Sequence, residues 1–577
     1  MLTKMIIRNF KRFADIEVDL GNPVVFIGPN NSGKTTALQA LALWDAGLRR
    51  WNEKRAGRTT PERRPGVTLN RRDLVSVPVP SANLLWRNLH VRDVMRINGK
   101  QRTENVFIDI LVEGVAGEAA WQCGLEFYYA NEESFYCRPM RLLDQDTSGR
   151  MQVPEAAAQK RVAYLPPMSG LASNETRLDI GAINVRIGEG RTAEVLRNLC
   201  YQIIEGEDGA RRWDRIVQVI QSQFLVKLDA PVYIIDRGEI AMTYRTESDT
   251  QLDISSAGRG LQQVLLILAH MNVNRDSVLL LDEPDAHLEM LRQRQMYQML
   301  SEVAREENSQ IIAASHSEVI LNEAADRDVV VAFVGRPHRI DDRGSQVLKA
   351  LKDIGYDQYY QAEQTGWVLY LEGSTDLAIL RAFAKTLNHE AQDALKRPFV
   401  SYVLNQPNRA RDHFYGLREA KPDLIGIALF DRIEKQLQQG GALRELMWAK
   451  RELENYLCQR EVLLRWAERS GSEAEGPLFA VRWRTIMEEE ITKLEQALAV
   501  ARRPSPWGAD IKASDEFLDP LFENFYQRMQ LPNLMRKTDY HILASHVLAE
   551  ELDQEVAEKL DLIVESRIEA QPVKDNT

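Results

Sequence analysis

The chain has 577 residues, 44% hydrophobic and 27% charged, a composition that indicates an ordinary soluble protein with several domains. Its formal net charge of −11 argues against a generally basic coat for nucleic acid, although it is compatible with a local basic groove. There is no run of about 18 apolar residues that would predict a membrane helix. The start lacks the apolar core of a secretory signal, and four scattered cysteines indicate a reducing cytoplasm, with neither a disulfide framework nor a zinc site.

The strongest motif is VVFIGPNNSGKTT, residues 24–36. A strand-like run precedes its glycine-rich loop and a helical sequence follows, which is the order of a P-loop. In such a loop backbone N–H groups surround the phosphates, the lysine reaches the β- and γ-phosphates, and the next hydroxyl, here that of Thr35, binds Mg²⁺. The residues predicted to bind nucleotide are Gly28, Asn30, Asn31, Ser32, Gly33, Lys34, Thr35 and Thr36.

The next segment, residues 49–72, carries nine Lys or Arg against two Glu and reads as a loop or insertion. It is either a solvated surface excursion or a patch that contacts phosphates. Beyond it, NVFIDILVEG (105–114) and WQCGLEFYYA (121–130) alternate like antiparallel strands. TAEVLRNLCYQII (192–204) and WDRIVQVIQSQFLV (213–226) have helical periodicity. They predict a helical insertion at about 171–235, which serves either dimerisation or simple packing.

Two further segments complete the pattern of an ATPase. SVLLLDEPDAHLE (277–289) contains a strand of the doubly buried type that ends in an acidic pair. Asp282 is expected in the Mg²⁺ shell, and Glu283 is expected to polarise the attacking water. SQIIAASHSEVIL (309–321) is another buried strand, and it places His316 where a sensor of the γ-phosphate would lie.

These motifs resemble the ATP-binding-cassette ATPases, in particular their SMC/RecF-like branch. MIIRNFKRFADIEVDL (5–20) is similar to the opening strand pair of that branch, EPDAHL to its D-loop and SH to its switch histidine. SSAGRG (255–260) stands in the place of the signature loop, which departs from LSGGQ and is represented by Ser256, Gly258 and Gly260. Because the signature of one subunit completes the ATP site of another in this family, the resemblance implies ATP-dependent pairing of two heads.

The second half restarts the pattern with GWVLYLEGSTDLAILRAFAKTL (366–387). A buried strand leads to Glu372-Gly373-x-x-Asp376 and then to an amphipathic helix. A second buried strand, LIGIALF (424–430), ends at Asp431. Ligand groups in open α/β sheets concentrate at such strand ends, and Mg²⁺ prefers carboxylate oxygens. Glu372 and Asp431 can converge only if their strands are neighbours in one sheet.

Here the sequence resembles the TOPRIM domain, and the order of the whole chain, to about residue 560, resembles the overcoming-lysogenisation-defect (OLD) family of nucleases. LEGSTD (371–376) matches the glutamate motif, and LFDRIE (429–434) stands where the family carries Asp-x-Asp. WAKRELENYL (448–457), SDEFLDPLF (514–522) and MRKTDYHILA (535–544) are similar to its later segments.

The resemblance implies a role for each matching residue. Glu372, Asp376 and Asp431 would bind metal, and Lys537 would stabilise charge on the scissile phosphate. Glu454 and Asp515 are candidates for a second metal. The departure is Ile433, which replaces the second aspartate and offers no ligand.

Two consequences of Ile433 stay open from the sequence. Glu434 could replace the missing ligand, or Arg432 could pair with Asp431 and leave the site poor in metal.

The predicted fold is α/β. An ABC-type ATPase domain spans 1–350, a linker 351–366, a TOPRIM-like domain with helical additions 367–560, and a tail 561–577. The expected function is that of an ATPase and ATP-regulated, Mg²⁺-dependent DNA endonuclease of the OLD type in bacterial defence against phage. The alternative is an ATPase switch or scaffold whose degenerate TOPRIM domain does not cleave and recruits a partner effector.

The expected cofactors are ATP and Mg²⁺, with Mn²⁺ or Ca²⁺ as alternatives at the nuclease site. The expected partners are DNA, a second copy bound through the ATPase heads, and a co-encoded defence partner. No membrane partner is expected, and the expected location is the cytoplasm.

Overall fold

The computed structural model describes residues 1–55, 66–71, 74–97, 100–117, 119–141, 149–325, 327–340, 354–438 and 440–573. The chain divides into two compact units, Met1–Leu348 and Lys349–Lys574. In the basic segment 49–72, residues 56–65 and 72 lie outside the described residues, so its contact with phosphates stays a prediction.

The strands of the first unit are β1 Leu2–Phe10, β2 Phe13–Asp19, β3 Val24–Ile27, β4 Val67–Asn70, β5 Arg92–Ile97, β6 Lys100–Asn105, β7 Phe107–Ala116, β8 Ala119–Asn131, β9 Ser134–Pro139, β10 Val162–Leu165, β11 Lys227–Leu228, β12 Val232–Ile234, β13 Glu239–Ala241, β14 Thr243–Arg245, β15 Gln251–Asp253, β16 Val278–Asp282, β17 Gln310–Ser315, β18 Val329–Ala332 and β19 His338–Arg339. Its helices are α1 Lys34–Arg55, α2 Glu155–Ala158, α3 Ile180–Gly188, α4 Leu196–Glu205, α5 Gly209–Phe224, α6 Arg259–Val273, α7 Met290–Glu306 and α8 Glu318–Ala324.

Two six-stranded sheets enclose the core of this unit. The first has the order β2-β1-β7-β8-β9-β4, and the predicted alternating strands pair within it as β7 and β8. The second has the order β10-β16-β17-β3-β18-β19, in which neighbouring strands are parallel except for β18 and β19. Helix α1 contributes buried side chains to the core that both sheets share, and Trp44 Nε1 donates to the Cys123 carbonyl at 2.9 Å. The P-loop strand β3 and helix α1 therefore pack into the core of this unit.

The elements of the second unit are α9 Tyr356–Thr365, β20 Trp367–Leu371, α10 Ser374–Thr386, α11 Ala391–Ala394, β21 Val400–Tyr402, α12 Pro407–Ala420, β22 Ile425–Phe430, β23 Leu443–Met447, α13 Arg460–Glu475, α14 Ala480–Val500, α15 Asp519–Met529 and α16 Gln554–Glu569. Its sheet has the order β21-β20-β22-β23, and all three strand pairs are parallel. Parallel strands covered by helices need apolar side chains on both faces, which explains the uninterrupted runs WVLYL and IGIALF. The α/β fold class is confirmed.

Helices lie in two of the segments predicted as connections. The linker at 351–366 contains α9, whose Tyr359 and Ala362 are buried and which packs on β20 and α12. The tail at 561–577 begins inside α16, whose Ile563 and Ser566 are buried. Both segments are polar enough to read as connections, but each buries one face against its own unit. In the described part of the chain, none of the helices has the length and apolar character that a membrane span requires.

Candidate functional site

The P-loop forms a tight turn between β3 and α1 in which two glycines cannot be replaced. Gly28 has φ +153° and Gly33 has φ +107°. A Cβ on Gly28 would lie 2.7 Å from the Phe333 carbonyl oxygen, and one on Gly33 would lie 2.6 Å from the Phe13 ring. The loop backbone is therefore packed tightly against Phe333 and Phe13. Asn30, Asn31 and Thr35 are exposed, and Thr36 is partly exposed.

The interior of this loop is chemically suited to phosphate. The Lys34 ammonium is buried and donates to the carbonyls of Gly28 at 2.7 Å and Pro29 at 3.0 Å. Burial lowers the pKa of Lys34, although Glu283 and Asp282 oppose that shift. The Ser32 hydroxyl is buried and has no hydrogen-bond partner among the described residues. A phosphate group would supply acceptors to both side chains, so the residues present fit a nucleotide.

Asp282 lies at the end of β16 and faces the start of α1. The Thr35 hydroxyl donates to Asp282 Oδ1 at 3.1 Å, and the Tyr164 hydroxyl of β10 donates to Oδ2 at 3.1 Å. Burial raises the pKa of Asp282 to about 6, which the two hydroxyl donors oppose. Thr35 and Asp282 are thus neighbours, as two ligands of one Mg²⁺ would have to be. Tyr164 was not identified from the sequence, because nothing in VAYL distinguishes it from a core residue.

Glu283 and His316 follow neighbouring strands. Glu283 adopts φ +50°, an unusual backbone conformation for a glutamate, and its N–H donates to the Ala314 carbonyl of β17 at 2.9 Å. His316 Nδ1 lies 3.9 Å from Glu283 Oε1, and both side chains are partly exposed. The structure therefore brings together the residue predicted to activate water and the predicted sensor.

The signature segment leads into the start of α6. The Ser256 hydroxyl donates to the Asp253 carbonyl at 2.6 Å, and Gly258 precedes α6. Gly258 and Gly260 line a cavity of about 430 Å³ together with His287 and other residues of the D-loop segment. The participation of Ser256, Gly258 and Gly260 in an ATP site remains a prediction.

In the second unit, Glu372 and Asp431 follow two strands that are direct neighbours. The register pairs Tyr370 of β20 with Ala428 of β22, so both acids stand at the same carboxyl edge of the sheet. This is the arrangement that their convergence requires. Burial raises the pKa of Asp431, and a hydrogen bond to Glu372 raises it further.

Two more acids border this pair. Asp376 Oδ2 accepts the N–H of Glu372 at 2.9 Å, and burial followed by the charge of Glu372 raises the pKa of Asp376 to about 6. Glu454 is 4% exposed, and burial followed by the charge of Glu452 raises its pKa to about 8. We refer to Glu372, Asp376, Asp431 and Glu454 as the acidic cluster.

Lysines lie on one side of the acidic cluster. Burial alone would lower the pKa of Lys537, but the carboxylates Glu454, Glu452 and Asp515 outweigh it and the pKa is raised. Lys537 Nζ donates to Ser514 Oγ at 3.3 Å and lies 3.9 Å from Asp515. Asp515 itself is paired with Lys512, whose hydrogen bond lowers the Asp515 pKa. Asp515 is therefore bound to lysines, and the structure does not place it among the acids of the cluster.

Three residues at this site were missed by the sequence reading: Asn405, Glu452 and Lys512. Asn405 adopts φ +55°. Its Nδ2 donates to Asp431 Oδ2 at 3.1 Å and its Oδ1 accepts the Asp431 N–H at 3.0 Å. The Leu453 N–H donates to the other carboxylate oxygen of Asp431 at 3.2 Å. Asparagine is common in left-handed turns, so the sequence carries no signal that sets Asn405 apart.

The surroundings of Asp431 also decide the two alternatives for Ile433. Arg432 does not pair with Asp431: its guanidinium donates to Asp510 at 2.6 Å and to the Ala449 carbonyl at 3.3 Å. Glu434 is exposed, and within the described ranges no hydrogen bond or ion pair joins it to the acidic cluster. Glu434 as a replacement ligand therefore stays a prediction.

The acidic cluster fits a divalent cation in its chemistry but is not closed around one. Burial raises the pKa of Asp376, Asp431 and Glu454, and the negative charge of neighbouring carboxylates raises each pKa further, as expected for acids gathered without a counterion. Among the described residues, no three His, Cys, Asp or Glu side chains are positioned to hold a metal ion as they stand. The carboxylates would have to move towards one another on binding.

Comparison with known families assigns the first unit. Residues 1–47 match the family described as "AAA ATPase domain", and residues 192–322 match the family described as "AAA domain, putative AbiEii toxin, Type IV TA system". These segments contain the P-loop and the Asp282–Glu283 pair. The first unit contains an ATPase domain of the AAA/ABC type. ATPases of this type use ATP and Mg²⁺. The matched segments cover less than half of the chain.

Solved structures that overlap with the chain include SMC heads. One is an SMC head bound to the C-terminal winged-helix domain of ScpA, with 14% identity, 59% of this chain and 98% of that chain covered, and a TM-score of 0.35. Another is the SMC head domain from Thermotoga maritima, with 12% identity, 59% and 98% coverage and a TM-score of 0.32. The third is the head from Pyrococcus furiosus with an extended coiled coil, bound to the C-terminal domain of ScpA. It has 13% identity, 61% of this chain and 99% of that chain covered, and a TM-score of 0.35. Structural similarities with TM-scores this low do not support a functional assignment. The chain matches none of the curated proteins with which it was compared.

Proposed function

We propose that the protein is an ATP-regulated, metal-dependent DNA endonuclease whose hydrolytic centre is the acidic cluster. The observation that carries the proposal is the position of Glu372 and Asp431 at the ends of the adjacent parallel strands β20 and β22, with Asp376, Glu454 and Lys537 beside them. Carboxyl groups that lie this close together repel one another when ionised, and they are the donors that Mg²⁺ or Mn²⁺ prefers.

In the ATPase domain, the chain's own residues bind and orient the nucleotide. Lys34 and the loop N–H groups hold the phosphates, and Thr35 with Asp282 would hold Mg²⁺. Glu283 is partly exposed and stands where it can accept a proton from an attacking water, with His316 beside it. Hydrolysis would act as a switch for the second unit.

In the acidic cluster, Asn405 and the Leu453 N–H orient the Asp431 carboxylate. Lys537 is a cation on the side of Glu454 and would stabilise negative charge on the scissile phosphate. A bound divalent cation would activate water and stabilise the leaving oxygen. Asp431, whose raised pKa favours its protonated form, would lose its proton when a cation binds beside it.

The choice of DNA and of a defence role rests on the resemblance to the OLD family. The description of the family that matches residues 192–322 names a toxin of a toxin–antitoxin system, which is compatible with such a role. Pairing of two heads through Ser256, Gly258 and Gly260 is part of the same proposal.

Cleavage of supercoiled plasmid with Mg²⁺ or Mn²⁺ tests the proposal. Wild type should nick the plasmid, and Glu372→Ala should reduce nicking by about 100-fold or more, since a metal ligand is lost. Glu434→Ala is the matched control, because Glu434 is exposed outside the cluster. Equal nicking by wild type and Glu372→Ala would refute the site, and loss of nicking in Glu434→Ala would show that the loop after Asp431 is misassigned.

A second candidate is an ATPase switch whose second unit does not cleave and recruits a partner effector. Ile433 in place of a carboxylate, and the lack of three converged ligands within the described residues, favour it. Metal-dependent binding of DNA without cleavage under any combination of nucleotide and Mg²⁺ or Mn²⁺ would support this candidate over the first.

A further inference from the structure

The signature segment, residues 254–260, is exposed at its polar residues but anchored in the interior at its start. Ser256 and Gly258 are exposed, whereas Ile254 is fully buried. Residues 254–256 form a single turn of 3₁₀ helix, and α6 follows shortly after it. Such a turn has few hydrogen bonds of its own and of poor geometry, so the side chains that bind its backbone determine its shape.

One of these side chains is that of Gln262 in α6, which is 4% exposed. Its Nε2 donates to the carbonyls of Ile254 and Ala257, both at 3.0 Å, with a longer contact of 3.4 Å to the carbonyl of Ser255. Gln262 therefore holds the carbonyl groups of the turn.

Asp253, at the end of β15, binds the beginning of the turn. Its Oδ1 accepts the Ser255 N–H at 2.8 Å and the Ser255 hydroxyl at 2.6 Å, and its carbonyl accepts the Ser256 hydroxyl at 2.6 Å. Burial would raise the pKa of Asp253, but hydrogen bonds from Ser255 and the charge of Arg197 outweigh it, and the pKa is lowered. Asp253 is therefore ionised at neutral pH, and its position sets the start of the signature segment.

Arg197 of α4, in the predicted helical insertion, holds the Asp253 carboxylate. Arg197 Nη2 donates to Asp253 Oδ1 at 2.8 Å, and the Arg197 side chain is only 1% exposed. The same guanidinium donates to the carbonyls of Ala172 at 3.1 Å and Ser173 at 3.2 Å. The Arg197 N–H donates to the buried carboxylate of Glu175 at 2.9 Å.

These contacts tie the start of the signature segment to the helical insertion. A guanidinium presents its N–H groups in a rigid fork, so the carbonyls that hold the Arg197 side chain also determine where it meets Asp253. Helix α4 packs against α6 as well. A displacement of α4 would move Arg197 and with it the carboxylate that caps the signature turn.

We propose that Arg197 is a positioning residue of the ATPase, which through Asp253 holds the signature segment in the conformation that meets the ATP bound by a second head. The inference rests on the proposed pairing of heads through Ser256, Gly258 and Gly260, and it is independent of the nuclease proposal. It gives the helical insertion a function in the ATPase cycle, namely control of the shape of the signature segment.

Replacing Asp253 with asparagine isolates the ion pair. Asparagine caps a helical turn about as well as aspartate, so the bond from the Ser255 N–H is retained while the charge that attracts Arg197 is lost. The Asp253 side chain is 44% exposed, so the change leaves the core intact. Asp249→Asn is the matched control, because it makes the same change at an exposed carboxylate that is paired with Arg245.

The measurement is the dissociation constant of the ATP-dependent dimer of the full chain, by analytical ultracentrifugation in a Glu283→Gln background that retains ATP. Asp253→Asn should weaken the dimer about 10-fold, as expected for the loss of one charged hydrogen bond. Arg197→Lys should weaken it at least as much, because an ammonium cannot replace the fork. Affinity for a fluorescent ATP analogue, measured at protein concentrations too low for pairing, should stay within about 2-fold of wild type. Asp249→Asn should change neither quantity.

The double variant tests whether Arg197 acts through Asp253. Arg197→Lys combined with Asp253→Asn should weaken pairing no more than Arg197→Lys alone, because the two changes break the same bond. Additive losses would overturn the proposal. If thermal melting shows that Arg197→Lys does not fold, Asp253→Asn decides the matter by itself.

The remaining outcomes separate this proposal from the pairing on which it rests. If Glu283→Gln alone does not pair with ATP at any concentration, the pairing of heads is refuted, and the role of Arg197 is refuted with it. If Glu283→Gln pairs and the addition of Asp253→Asn leaves the dimer equally tight, the pairing stands and the role of Arg197 is refuted. Parallel losses of ATP affinity and pairing in Asp253→Asn would identify Asp253 as a residue of general stability and would also overturn the proposal.

Discussion

Replacing Asn405 with glycine tests whether this side chain holds Asp431 ready for a cation. Asn405 makes two hydrogen bonds to Asp431, at 3.1 Å to the carboxylate and at 3.0 Å from the backbone N–H. Because its raised pKa favours the neutral form of Asp431 without metal, each of the two bonds is worth about 1 kcal/mol, net of exchange with water. We therefore expect Asn405→Gly to lower the free energy of unfolding by about 2 kcal/mol.

The same variant should weaken metal binding. Residues that orient a ligand through a hydrogen bond typically contribute about 10–100-fold to metal affinity. The measurement is titration of nucleotide-free protein with Mn²⁺, together with urea unfolding in EDTA. Glycine retains the left-handed backbone at φ +55°, so the change removes the side chain without adding strain.

Asn388→Gly provides the matched control. Asn388 has φ +48°, lies exposed after α10 in the same unit, and makes its side-chain contact with Gln392. The entropic cost of introducing glycine, about 0.5–1 kcal/mol, is the same in both variants. If Asn405→Gly and Asn388→Gly bind Mn²⁺ equally well, Asn405 does not position Asp431. If wild type binds no Mn²⁺, the site itself is wrong.

Three further predictions concern single side chains. The pKa of Glu454 is raised to about 8 in the folded state, so between about pH 4.5 and pH 8 the folded protein holds a proton that the unfolded chain has lost. The free energy of unfolding in EDTA should therefore fall as pH rises through that range. Glu454→Gln should show a shallower dependence of this free energy on pH in urea unfolding, and an unchanged dependence would contradict the assignment. Tyr164→Phe removes the hydrogen-bond donor to Asp282 Oδ2 and should weaken ATP binding about 3–10-fold with Mg²⁺ but not in EDTA. Titration with a fluorescent nucleotide measures both affinities. Equal losses of affinity under the two conditions would point to misfolding instead. Glu283→Gln should retain ATP affinity, because the side chain is partly exposed. It should reduce the hydrolysis rate about 100-fold or more, because the base is lost. Hydrolysis at the wild-type rate would exclude Glu283 as the base.

The sequence was sufficient to locate a feature where the spacing of residues along the chain defines its motif. The P-loop is continuous in sequence, so its strand, loop and helix follow from residues 24–55 alone. Glu372 and Asp431 could be placed at strand ends for the same reason. The segments expected to be the linker and the tail contain α9 and the end of α16, whose buried faces meet neighbours that the sequence does not reveal.

The side chains around Asp431 could not be predicted in the same way. Arg432 stands next to Asp431 in sequence but reaches Asp510, while Asn405 comes from the segment after β21 and lies 26 residues away. Glu434, the apparent substitute for a missing ligand, is exposed. Which neighbour satisfies a buried carboxylate depends on how loops from different strands meet.

The sequence by itself determined the order of the elements and the chemical type of each strand end. Turns and the alternation of side chains along a strand depend on residues that are close in sequence, so they can be predicted without knowing which distant residues pack against them. The tertiary structure alone decided which strands are neighbours, since only pairing of β20 with β22 brings Glu372 to Asp431. It also decided that Asp45 and His270, 225 residues apart, contribute to the wall of one cavity, because burial is a property of the packed chain.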